Sequence, residues 1–248
     1  MKEKTDIKNN TNEVLHTEEP KNRAYEKVVR FVKDGISKGE IKVGDKLPTE
    51  RELSEKLELS RNSVREALRT MDNTGLIACR QGSGNYLTGD MQPVIEESIY
   101  LMSILKQIKD KDVCHMRRGL DILAMKLAVE NYTEDKKDKI DELMEKFYDN
   151  NSNNTQCDEA AFLDKEVHML ISEYSENNLL QLVNDSLSSL MEQFIFKSRR
   201  VVIQNDGDVL TEYHKQMLKC LMNKDVEGGI EAINKHYDAM DKYIDDFF

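Results

Sequence analysis

A chain of 248 residues with 39% hydrophobic and 33% charged residues is globular in composition and long enough for two domains, each burying its own core. No apolar run reaches bilayer length, which excludes a helical membrane span, and Met1–Asn10 lacks the apolar stretch of a signal peptide, so a cytoplasmic location is expected. The net charge of −11 argues against nonspecific nucleic-acid binding by the chain as a whole, yet residues 1–90 carry 17 Lys+Arg against 16 Asp+Glu, leaving 19 basic and 31 acidic residues to the remainder.

In chain order, residues 1–20 are polar, lack apolar periodicity and read as a flexible tail. Tyr25, Val28, Val29, Val32 and Ile36 then follow helical spacing until Gly39. Gly44–Pro48 is a turn, and Thr49 with Glu52 forms a capping box for a short helix carrying Leu53 and Leu57. Ser60 caps the next helix, whose inner stripe is Val64, Ala67, Leu68 and Met71 and whose stop signal is Asn73-Thr74-Gly75. Leu76–Cys79 and Asn85–Thr88 read as two strands around the glycine-bearing turn Arg80–Gly84. Helix, helix-turn-helix and hairpin in this order describe a winged helix-turn-helix over residues 21–90. After a short linker at 89–93, helical runs are expected near 93–109, 112–131, 134–149, 158–174, 177–204, 208–223 and 225–246, with a polar loop at Asp149–Thr155. The fold class is therefore mostly α, the winged unit followed by an all-helical bundle of about six or seven helices over 93–248. Cys79, Cys114, Cys157 and Cys220 lie far apart with no CxxC pair and read as reduced structural thiols.

In a helix-turn-helix the second helix enters the major groove with its N-terminal residues at base edges and phosphates. Here that segment is Ser60-Arg61-Asn62-Ser63-Val64-Arg65. Arg61, Arg65 and Arg69 recur every four residues, away from the apolar stripe, and arginine is the usual bidentate reader of guanine, so Arg61 and Arg65 are the leading readers. A solvated face with intrahelical Arg–Glu pairs is the alternative for arginines taken singly. Arg51 on the preceding helix and Gln81-Gly82 in the hairpin are placed to reach flanking phosphates and the minor groove.

Gly44-x-x-Leu47-Pro48-Thr49-Glu50-Arg51-Glu52-Leu53, then Leu59-Ser60-Arg61-x-x-Val64-Arg65-Glu66-Ala67-Leu68, then Gly75-Leu76 and Gln81-Gly82-Ser83-Gly84, together resemble the GntR family of bacterial regulators over roughly residues 23–88. The resemblance implies DNA contacts at Arg51, Ser60, Arg61, Asn62, Ser63, Arg65, Gln81 and Gly82. The helical remainder resembles the FadR-type subfamily, which implies an effector-binding, dimer-forming FCD domain.

Asp164 and His168 are four residues apart on the side of Ala160, Ala161 and Ile171; His214 shares a face with Leu210, Met217 and Leu221; His236 sits among Ile233, Tyr237 and Met240. One carboxylate and three imidazoles on core faces form a sound ligand set for a divalent transition ion such as zinc, nickel or manganese, the alternative being three separate core histidines held by hydrogen bonds. The subfamily resemblance also implies an Asp-x-x-x-His pair followed by two later histidines, matched by these four. Arg117 lies on a core face with Leu120, Ala124 and Ala128 and needs an anion, either Asp121 four residues on or the carboxylate of an effector. The resemblance places an arginine near the effector cavity, although its pattern has Glu where this chain has His115 and Asp121.

The expected function is a dimeric repressor that binds a double-stranded DNA operator and responds to a small carboxylate bound beside the metal. Two other classes compete. A metal-dependent hydrolase accounts for an Asp/His site but lacks a separate general base, and a ligand-free architectural DNA binder needs no metal site at all.

Overall fold

The computed structural model describes residues 20–152, 157–190 and 192–243. The chain divides into two compact units that meet between Met91 and Gln92.

The first unit contains α1 (Pro20–Ser37), α2 (Glu50–Leu57), α3 (Arg61–Asn73), β1 (Ile77–Arg80) and β2 (Gly84–Leu87). Pro20 already begins α1, a position where its missing N–H costs nothing, so the expected tail overlaps the helix by one residue; 1–19 lie outside the described residues. Val28 and Val32 of α1 pack with Leu53 and with Val64, Ala67, Leu68 and Met71 of α3. Ile36 is exposed instead, because the last turn of α1 packs at Gly35 against Ile41. The capping box of α2 is formed as its residue types demand, with Glu52 N donating to Thr49 Oγ1 and Thr49 N donating to Glu52 Oε2. Ser60 caps α3 by accepting from Ser63 N at 3.1 Å.

The strands pair antiparallel, Ile77 with Leu87 and Arg80 with Gly84, one residue away from the expected bounds, and Lys46 forms a bridge to Tyr86. Gly75, which ends α3, has φ +70, and a Cβ there would meet the Asp90 carbonyl oxygen at 2.0 Å; only glycine fits.

The second unit has eight α-helices among the described residues, more than expected: α4 (Gln92–Ile104), α5 (Asp110–Glu130), α6 (Lys137–Ser152), α7 (Cys157–Tyr174), α8 (Asn178–Leu190), α9 (Glu192–Asp206), α10 (Val209–Met222) and α11 (Val226–Asp241). The single helix expected at 177–204 is described as α8 and α9 on either side of residue 191. The Asn-rich stretch expected as a loop is helical through Ser152, because the apolar stripe Ile140, Leu143, Met144 and Phe147 docks α6 on the core and carries its polar end along; 153–156 lie outside the described residues. The core runs along α5, α6, α7, α10 and α11, and Gly229 of α11 lets that helix approach Met125 of α5 closely. Among the described residues no helix is long and apolar enough to cross a membrane.

Candidate metal centre and DNA-binding face

The periodicity that buries Ala161 and Ile171 of α7 also turns Asp164 and His168 inward, and the same holds for His214 between Leu210 and Met217 of α10 and His236 beside Ile233 of α11. None of the four is more than 2% exposed, and a ligand atom of each lies within 4.8 Å of those of the others. His214 Nε2 is 3.3 Å from His168 Nε2 and 3.3 Å from Asp164 Oδ2, and His168 Nε2 is 3.7 Å from Asp164 Oδ1. Donors about 2.1 Å from a common ion at tetrahedral or octahedral angles stand about 3.0–3.4 Å apart, so the two 3.3 Å spacings match a shared small divalent cation, and the 3.7 Å spacing and the 4.8 Å outer span would have to draw in to close on it.

The chemistry of the donors fits as well. Burial, reinforced by His168 and Arg199, holds the His214 pKa well below its ordinary value, and burial with His214 does the same for His236; both imidazoles offer lone pairs. Among the described residues the buried Nδ1 atoms of His214 and His236 have no hydrogen-bond partner, and His168 Nδ1 has only the nearby Asp121 carboxylate.

Around these four lies a second layer that sequence reasoning missed. Asp121 Oδ2 sits 2.9 Å from His168 Nδ1 and accepts from the Tyr237 hydroxyl at 2.6 Å, while Oδ1 accepts from Asn184 Nδ2 at 2.7 Å. Asn184 also reaches Ser172 Oγ at 2.7 Å. Burial raises the Asp121 pKa, but His168 and Arg117 outweigh it and the carboxyl is held far down in its charged form. The carboxylate fixes the His168 ring so that Nε2 faces the other ligands. Of the two anions left open for Arg117, Asp121 is not its ion-pair partner: Asp121 is spent on His168, Tyr237 and Asn184, and Arg117 makes no ion pair among the described residues. Arg117 is buried, and its Nε and Nη2 atoms have no partner.

Arg199 of α9, also overlooked, is fully buried with Nε and Nη1 unpartnered. Its Nη2 donates to Asp208 Oδ1 at 2.9 Å and to Thr211 Oγ1, and Nη1 stands 3.6 Å from Asp164 Oδ2. The only sequence signal was an arginine, Arg199, that helical spacing puts near Val202 and Ile203 in a run where Lys197, Ser198 and Arg200 are also polar. His115 faces solvent, and so does Cys79, which is therefore no core thiol, unlike Cys114 and Cys220.

In the first unit Arg51, Ser60, Arg61, Asn62, Arg65, Gln81 and Gly82 are exposed and Ser63 is half-buried. Ser60 and Ser63 spend their hydroxyls on each other at 2.8 Å while capping α3. Arg65 grips Glu50 with two nitrogens, Nε to Oε1 at 3.0 Å and Nη2 to Oε2 at 2.7 Å, a bond that lowers the Glu50 pKa. Arg51 pairs with Glu55 and Arg69 with Glu66, so the alternative of arginine–glutamate pairs is realised there. Arg61, at the start of α3, has no ion pair among the described residues. Gly82, at φ +72, forms the tip between β1 and β2.

Sequence profiles of two families match this chain: "Bacterial regulatory proteins, gntR family" over residues 24–87 and "FCD domain" over 112–239. The Uxu operon regulator of Haemophilus influenzae is 30% identical over 240 residues, covering 94% of this chain and 86% of that protein. The HTH-type transcriptional regulator LutR of Bacillus subtilis is 28% identical over 166 residues, covering 67% of this chain and 74% of LutR. Among solved structures, the Streptococcus agalactiae GntR has the same fold, with TM-score 0.65 at 22% identity over 90% of this chain and 99% of that one.

Proposed function

This chain belongs to the GntR family of bacterial regulatory proteins, with an FCD domain, and on that premise we propose that it is a dimeric, metabolite-responsive repressor whose second unit binds one divalent metal and a small carboxylate. Its class, a DNA-binding transcription regulator and not an enzyme, follows from the membership. The rest is our reading. Residues 21–90 form the DNA-binding domain and 93–248 the effector and dimer domain, acting in the cytoplasm on a double-stranded operator.

One observation carries the effector half of this reading: Asp164, His168, His214 and His236 converge in the core, and the buried Arg117, which feels the charge of Asp164, has no ion pair among the described residues. Asp164, His168, His214 and His236 would hold the ion, whose imidazole-rich set suits zinc or nickel and whose carboxylate also admits manganese. Bound there, the metal supplies a residual positive charge and open coordination positions for an anion. Arg117 takes the carboxylate through Nε and Nη2, the same two nitrogens with which Arg65 holds Glu50. Effector binding favours one arrangement of the second unit over another, and the two DNA-reading units of the dimer respond. Repression lifted by the effector is the simplest output.

On the DNA side, Arg61 and Asn62 stand ready at the N-terminus of α3, Arg65 exchanges Glu50 for a base or phosphate, and Arg51, Ser60, Ser63, Gln81 and Gly82 line the flanks. The test is metal analysis of the purified protein after saturation with zinc, nickel or manganese, with His214→Ala as control, alongside operator binding. One equivalent in the wild type, less in His214→Ala, and unchanged operator affinity without effector are expected. No metal, or equal content in both proteins, overturns the metal reading.

A further inference from the structure

The hairpin carries two cations that the DNA-binding face described above does not use. Lys46 pairs with Tyr86 on one edge of β2, and Ala78 and Arg80 of β1 pair with Tyr86 and Gly84 on the other. Paired residues and next-but-one neighbours share one face of a sheet, so Lys46, Arg80, Gly84 and Tyr86 all project to the same side. Gly84 has no side chain to place there. A Cβ on it would meet Lys46 Cε at 2.6 Å and Nζ at 3.3 Å, so the lysine lies across the glycine, whose φ of +118 excludes most other residues. Arg80 stands directly opposite Gly84, where paired β-carbons are about 5 Å apart. Its guanidinium lies over the Tyr86 ring at 4.8 Å, and the Tyr86 hydroxyl is hydrogen-bonded with Ser83 Oγ at 2.7 Å.

Like charges side by side on paired strands repel unless an anion joins them. Lys46 and Arg80 are exposed, and among the described residues neither forms an ion pair. Both line a cleft of about 420 Å³ between the hairpin and the start of α2, together with Thr49, Glu50, Gln81 and Gly82. Glu50, the acidic residue of that lining, is gripped by two nitrogens of Arg65, and the neighbouring Glu52 is spent on Thr49. The cleft is left with two uncompensated positive charges. Its position says what anion it takes. One lip is the hairpin tip at Gln81 and Gly82, and the other is bonded to α3 through Glu50 and Arg65, so a DNA strand touching both elements runs across the cleft.

We propose that Lys46 and Arg80 clasp one backbone phosphate of bound DNA, a contact indifferent to sequence that seats the hairpin while Arg61 reads bases. This rests on the reading of α3 and the hairpin as the DNA-contacting face. The experiment is fluorescence anisotropy of the full-length protein on two duplexes of roughly 30 base pairs, one of random sequence and one that the wild type selects from a randomised pool, between about 50 and about 200 mM NaCl. In Lys46→Gln/Arg80→Gln both affinities fall, with their ratio held within about threefold, and the slope of log K against log [NaCl] becomes shallower by about 0.9 per bound subunit, the yield of one phosphate. Lys46→Arg/Arg80→Lys, which keeps both charges, keeps the slope. Lys46→Gln alone, which leaves the Arg80–Tyr86 stack in place, is the second variant should the double one fail to fold, and it also weakens both duplexes equally. An unchanged slope in the folded double variant, a loss confined to the selected duplex, or a change near 1.8 per subunit, the yield of two separate phosphates, overturns the shared clasp. Arg61→Ala tells this failure from that of the reading beneath it. If Arg61→Ala weakens the selected duplex while the double variant keeps its slope, the clasp alone falls; if neither variant changes binding to either duplex, the DNA-contacting face falls, and the clasp with it.

Discussion

Asp121→Asn isolates the support given to the metal ligands without removing any of them. The side chain keeps its size, but one oxygen becomes an NH2 group. If the amide nitrogen takes the Oδ1 place it faces the Asn184 Nδ2 donor now 2.7 Å away; if it takes the Oδ2 place it faces the Tyr237 hydroxyl at 2.6 Å and His168 Nδ1 at 2.9 Å. In the Oδ2 place the amide nitrogen meets the His168 Nδ1–H donor, in the Oδ1 place it makes Asn184 turn its amide over, and in both His168 loses the negative charge that fixes its ring. Loss of such a supporting carboxylate typically costs about 10–100-fold in metal affinity, or roughly 1.4–2.7 kcal/mol. With zinc at about 100 times the wild-type Kd, binding stabilises the wild type by roughly 2.7 kcal/mol, and in a unit of this size each kcal/mol moves Tm by about 2–4 °C. Zinc therefore raises the wild-type Tm by about 5–10 °C, and Asp121→Asn loses half or more of that increment. The assays are chelator competition for the zinc Kd and thermal melts with and without zinc. Comparing the increment within each protein cancels any loss of stability in the metal-free variant. An affinity within threefold of wild type, with an undiminished zinc increment, refutes the role given to Asp121.

Three further outcomes are expected. Arg61→Ala weakens specific operator binding by about 1–3 kcal/mol for a lost base contact, while a random duplex is affected far less; gel-shift titration at fixed salt reads both, and equal losses remove Arg61 from base reading. One α3 covers only a half-site, so light scattering at micromolar concentration gives a dimer, and a monomer that still binds specifically as one copy per site contradicts the C2 arrangement. Gly75→Ala places a side chain at φ +70 against the Asp90 carbonyl and destabilises the first unit by at least about 2 kcal/mol, seen as an earlier melting transition with zinc binding intact; an unchanged melt denies the need for glycine.

Local chemistry explains what was legible beforehand. Thr49, Glu52 and Ser60 announce their helices through caps that act within three residues, and Gly75 announces a stop by a backbone angle, so the first unit could be read almost element by element. The metal candidates were legible because helical phase alone decides whether Asp164, His168, His214 and His236 face inward. Partner choice among buried groups was not. Asp121 lies four residues from Arg117 on one helix, yet the fold offers it His168, Tyr237 and Asn184 from three other helices, and nothing local encodes that contest. Arg199 escaped for the same reason, since Asp208 and Thr211 become its partners only when α9 turns into α10. The end of α6 was misplaced because a docked apolar stripe outweighs the turn preference of asparagines at its edge.

Glu50 holds Arg65 as a phosphate would, and Glu55 and Glu66 hold Arg51 and Arg69 more loosely. On an arbitrary duplex each such arginine exchanges one anion for another and gains little, and fewer condensed counterions leave the DNA than three unpaired arginines would release. If Arg61 and Arg65 read base edges as proposed, only a sequence that offers them good partners repays the exchange. The glutamates of α2 and α3 would then act against binding to arbitrary duplex more than against binding to the operator.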